Sequence, residues 1–114
     1  MARPGPARRA AGRACIVLTT GADRAAMRRI AATLLRERLA ACIQEVPIAS
    51  AYRWKGKIVR DREVLLLIKT RAALYRRVET RIRSLHSYTV PEILRVPVTG
   101  GVAGYLAWLG RETI

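Results

Sequence analysis

The chain of 114 residues has no phenylalanine, a single histidine (His86), two cysteines, and eight acids against 22 bases. Each shortage excludes something. With one imidazole and eight scattered carboxylates, no nucleophile sits beside a base and no carboxylate pair stands out, so no enzymatic activity is expected. Cys15 and Cys42 lie in apolar surroundings without CxxC spacing or paired histidines, so zinc and iron–sulfur ligation are not expected. Both read as small core hydrophobes in a reducing compartment. No apolar run approaches the ~18 residues needed to cross a bilayer, and "ACIVL" near the start is too short for a signal-peptide core. A soluble protein with no membrane partner is expected. The glycines of "TGGVAG" (99–104) lack the Lys-Ser/Thr of a phosphate loop and the spacing of a dinucleotide fold, and they read as a flexible turn.

What is present points to one globular domain. Hydrophobic residues make up 51% of the chain, mostly Ala, Leu, Ile and Val, which is a core-forming composition at a single-domain length. Residues 1–14 carry Arg3, Arg8, Arg9 and Arg13 without an acid or an apolar period, and are expected to be a disordered, dispensable basic extension. The domain proper is 15–114. Of the net charge of +14 it keeps +10, dispersed over helix faces. Such dispersal reads as solvated surface, with nucleic-acid binding limited to non-specific charge attraction. The alternative is a basic nucleic-acid-binding module; "YRW" is a short aromatic-basic cluster and the RNP pattern of RNA-binding sheets is absent.

Periodicity supplies the elements. "CIVLTT" (15–20) is a β-branched run, and Asp23 after it is a candidate N-cap. From Arg24 to Ala41, Met27, Ile30, Leu34 and Leu35 recur at helical spacing. "CIQEVPIASAYRW" and "IVRDREVLLLIKT" flank the "KGK" turn and read as a long hairpin, with Pro47 marking a bulge or a sheet edge. A second helix is expected over Arg71 to Leu85, on Leu74, Val78, Ile82 and Leu85, with His86 at its C-terminus. "EILRVPV" makes a fourth strand and "VAGYLAWLG" a final helical turn or two. The order β-α-β-β-α-β is that of an α+β, ferredoxin-like split βαβ sandwich with both helices on one sheet face. "VLLLI" (64–68) is apolar at every position, so either Leu65 and Leu67 or Val64, Leu66 and Ile68 must face away from the helices. A second copy is expected to cover that face.

Five strings in order, "ERLAACI" (37–43), "AYRWKGKI" (51–58), "EVLLLIKT" (63–70), "LHSYTVPEI" (85–93) and "YLAWL" (105–109), resemble the CutA family of divalent-cation tolerance proteins over about residues 15 to 112. The resemblance implies a tight cytoplasmic homotrimer, similar in architecture to PII-type signalling proteins and associated with tolerance to copper and other divalent metals, with no catalysis. Where the family commonly has "HPY" this chain has His86, Ser87 and Tyr88, and where it has "WEGK" there is Lys55. The ligand positions proposed for copper in some members fall here on Thr19, Leu85 and His86. Only His86 is a good copper ligand, with Cys42 or Glu92 as recruits. Copper(II) or another divalent metal, weakly bound, is the cofactor expected. The resemblance also implies a ligand cleft between subunits lined by Tyr52, Trp54, Lys69, Tyr88 and Glu92. Two readings stay open at each place: His86 is a ligand or a helix C-cap, and Tyr52 with Trp54 line a pocket or form an interface pair.

Overall fold

The computed structural model describes residues 14–114, so the expected extension lies outside the described residues except for Ala14, which already belongs to the first strand. The elements are β1 (Ala14–Gly21), α1 (Arg24–Arg36), β2 (Cys42–Trp54), β3 (Lys57–Arg71), a 3-10 turn (Ala72–Leu74) leading into α2 (Tyr75–Leu85), β4 (Ile93–Pro97) and α3 (Ala103–Glu112). The strands form one antiparallel sheet in the order β2-β3-β1-β4.

Asp23 begins α1 as expected, its carboxylate accepting from the Ala26 amide at 3.1 Å. The helix ends five residues earlier than its apolar period suggests. Arg38 turns left-handed at φ 58°, its amide bonds the Leu35 carbonyl (3.1 Å), and the Leu39 amide bonds the Leu34 carbonyl (2.9 Å). That pairing is a Schellman stop, and it turns Leu39 and Ala40 into the core. Glycine usually fills such a position. Here Arg38 is held by its surroundings, its guanidinium donating to the carbonyls of Arg111 (2.7 Å) and Glu112 (3.2 Å).

The β2–β3 hairpin closes on Lys55 and Gly56, both at positive φ (50° and 76°), the signature of a two-residue type I′ turn. Its register runs without interruption through Pro47, which lies opposite Val64 on the edge strand; the proline marks an edge and not a bulge. Pairing of β1 with β3 stops at Gly21 opposite Val64. Beyond that point the hairpin continues alone as a two-stranded ribbon, and the described residues extend 55 Å along it against 27 and 22 Å in the other directions.

The register also sorts the two sheet faces. Cys15, Val17, Val64, Leu66 and Ile68 pack with Met27, Ile30 and Leu34 of α1 and with Val78 and Ile82 of α2 in a single core. Ile16, Leu18, Leu65 and Leu67 lie on the opposite face beside Leu94 and Val96 of β4, which are 54% and 42% exposed. Of the two sets in "VLLLI", it is Leu65 and Leu67 that point away from α1 and α2. At ten residues α3 is longer than expected and lies against β1 and β3. Its buried Leu106 and Leu109 belong to no part of the main core, and its Tyr105 reaches Cys42, so it covers one end of the second face. On the β4 side Leu94 and Val96 stay exposed, and in the middle Leu18, Leu65 and Leu67 are only half-buried.

Candidate functional site at the root of the ribbon

Where α2 ends, the chain returns to the end of β1. His86 is the C-cap residue of α2, extended at φ −75° and ψ 142°, with its amide bonded to the Ile82 carbonyl at 2.8 Å. Its ring does not face the helix end. Nε2 lies 2.7 Å from the Thr20 carbonyl, and a carbonyl only accepts, so Nε2 carries the proton. Nδ1 is then bare, and it accepts the Tyr88 amide at 3.0 Å. Both nitrogens are therefore engaged, and the neutral imidazole ties the loop to β1. The ring packs over Gly21, where a Cβ would lie 3.2 Å from the imidazole and 2.5 Å from the Met27 sulfur. Only glycine leaves that space.

Tyr88 packs at 4.9 Å, tilted, on the His86 ring. Its hydroxyl accepts the Ala22 amide (3.1 Å) and donates to Glu63 Oε2 (2.8 Å). Desolvation, then the bond to Glu63, pushes the phenol up to about 12. Two residues along β3, Asp61 accepts from the Tyr52 hydroxyl, and that bond holds Tyr52 protonated above its ordinary range. Tyr52, Asp61, Glu63 and Tyr88 thus form a tyrosine–carboxylate cluster on one face of the ribbon root. An adjoining groove of ≈ 510 Å³ is lined in part by Ala22, Arg24, Ile48, Arg62 and Glu63.

Of the residues expected to act together, His86, Tyr88 and Tyr52 meet here. The others do not. Cys42 and Lys69 face each other across β2 and β3 at the far end of the sheet, where Lys69 donates to Gln44. Trp54 is 56% exposed at the ribbon tip, with the Lys55 ammonium 6.0 Å from its ring. Glu92 is exposed ahead of β4. Ile16, in the Cys42–Lys69 row, and Thr20, bonded to His86, are four residues apart on β1, or about 13 Å, so Cys42 and His86 do not converge within the chain. Among the described residues no three His, Cys, Asp or Glu side chains gather as a metal site. The described residues of a single chain do not fit a divalent cation. Cys15 is fully buried, and burial raises its thiol against a smaller opposing effect of Arg95.

Asp61 and Glu63 were not anticipated from the sequence. The signal was available: a two-residue turn at Lys55–Gly56 fixes Ser50 opposite Asp61, which sets Tyr52 diagonally beside that acid. The Thr20 carbonyl has no such signal.

These features define a small α+β protein with a four-stranded antiparallel sheet, two helices on one face and a ribbon that overshoots the sheet. The chain belongs to the CutA1 divalent ion tolerance protein family, whose model matches residues 15–112. The divalent-cation tolerance protein CutA of Thermus thermophilus is 44% identical over 99 residues, covering 86% of this chain and 96% of that one. A chloroplastic CutA protein of Arabidopsis thaliana is 41% identical, over 86% of this chain and 54% of that longer one. The crystal structure of CutA1 from Oryza sativa superposes with a TM-score of 0.87 at 38% identity, covering 92% of this chain and 97% of that one.

Proposed function

We propose that the chain is a homotrimeric, non-enzymatic divalent-cation tolerance protein of the cytoplasm, with a ferredoxin-like protomer whose sheets pack about a three-fold axis. The observation that carries this reading is the incompletely covered second face: Leu18, Leu65, Leu67, Leu94 and Val96 share it, the first three half-buried and the last two exposed. A matching face on a neighbour covers it, and closed symmetry satisfies every copy. The strand order, with β1 between β3 and β4, supports the ferredoxin-like protomer. No helix of the described residues is long and apolar enough to cross a membrane. The family's description names tolerance of divalent ions and no reaction.

Metal or a small ligand is held weakly, at junctions between subunits. His86, Tyr88 and Tyr52 supply the ribbon-root side of such a junction, and Cys42, Trp54, Lys69 and Glu92 contribute only where a neighbour brings them in. Because both His86 nitrogens are already bonded, copper(II) must displace the Thr20 carbonyl or the Tyr88 amide to reach the ring, and a lone imidazole confers little affinity. Calorimetric titration with copper(II) should show weak binding that changes modestly in His86→Ala. Tight stoichiometric binding that survives this substitution contradicts the proposal.

A further inference from the structure

The charge that is dispersed along the sequence is gathered by the fold. Helices α1 and α2 hold eight arginines and one acid, Glu79. Residues 14–114 contain eighteen bases and eight acids, so everything outside these two helices holds ten bases and seven acids. Within residues 14–114 the excess of positive charge therefore sits in the helix layer, and the remainder is close to balanced. Both helices bury their apolar stripes in the same core, which turns their arginines outward together. Arg28, Arg29, Arg36, Arg76, Arg77 and Arg83 are all exposed. Glu37, the C-cap residue of α1, is already bonded to Arg81 at 2.9 Å.

We infer that the helix layer is a docking face for the phosphate backbone of duplex nucleic acid. Guanidinium forks match phosphate oxygens in pairs, and arginines fixed on two packed helices present several at once. The face has little to insert into a lipid surface: of the large apolar side chains that are exposed, only Leu35 belongs to α1 or α2. It has no Asn or Gln to read an adenine edge, so binding should be independent of sequence and steeply dependent on salt. The incompletely covered apolar face lies on the other side of the sheet, and assembly through it leaves the helix layer open.

The test compares the full-length chain with two quadruple glutamine variants, one at Arg28, Arg29, Arg76 and Arg83 and one at Arg53, Lys57, Arg60 and Arg111, all exposed. Both lose four charges and both keep the basic extension. Melting curves and light scattering first establish that each retains its fold and assembly; a quadruple lysine variant of the helix set, which keeps the charge, should keep the salt slope. Fluorescence anisotropy with a duplex DNA of mixed sequence is read as log affinity against log salt. The slope should fall by about three to four in the helix variant and by less than about one in the control, at roughly 0.9 for each phosphate no longer neutralised. Equal losses in the two variants, or loss of binding to phosphatidylglycerol vesicles with DNA binding unchanged, overturns the inference.

Discussion

Tyr88 joins three segments through one hydroxyl, taking the Ala22 amide and giving its proton to Glu63. Its pKa of about 12 stands above the ordinary value of 10.0, so the folded state holds this proton more tightly than the unfolded chain does. The stability that follows is complete below pH 10 and is lost as pH rises toward 12. Alkaline unfolding should therefore steepen across that window and flatten in Tyr88→Phe, with the phenolate absorbance of the wild type incomplete until the chain unfolds; an identical pH profile in the variant contradicts this. At Gly21 the added methyl of alanine meets the Met27 sulfur at 2.5 Å inside a closed core. Gly21→Ala should lower stability by about 1 to 3 kcal/mol in denaturant titration, and trimming the obstacle with Met27→Ala should make the double variant lose less than the two single losses combined. A fully additive pair would place the strain elsewhere. The position of His86 at a helix end was legible from the sequence, because the period of α2 runs out there. Its partner Thr20 was not, being 66 residues away and fixed only when β1 and α2 pack on the same core.

At the scale of elements, the Schellman stop of α1 rests on a residue that is ill-suited to it. A left-handed backbone costs a side-chain-bearing residue about 1 to 2 kcal/mol, offset here by the bonds from Arg38 to the end of α3. Arg38→Ala keeps the strain and loses the bonds, while Arg38→Gly loses both. Alanine should therefore be the less stable variant by about 1 kcal/mol in thermal unfolding, and equal stabilities would deny the strain. The sequence announced both long strands, the hairpin turn and the apolar stripe of each core helix, since these follow from local period and turn chemistry. It announced neither the early stop of α1 nor the cover provided by α3. "ERLAA" continues a helical period through Arg38, and what halts it is an interaction with a segment more than seventy residues later. The apolar residues of "VAGYLAWLG" follow no clear stripe, so their packing on the second sheet face left no mark.

At the scale of the molecule, the ribbon and the incompletely covered face raise the same need. A two-stranded ribbon is marginal in water by itself, and burying a leucine contributes about 1.5 to 3 kcal/mol, so Leu65 and Leu67 with Leu94 and Val96 form a surface that gains by association. The run "VLLLI" made the surplus of apolar side chains readable, and only the register established which leucines carry it. Substituting Leu65 and Leu67 with Asp should therefore dissolve the assembly while leaving α1, α2 and their core in place. The most direct measurement is light scattering coupled to size exclusion at micromolar concentration. The wild type should elute as a particle three times the 12.7 kDa chain mass, and the Asp variant as a folded monomer by circular dichroism. A wild-type monomer contradicts the account, and a stable dimer contradicts its three-fold part.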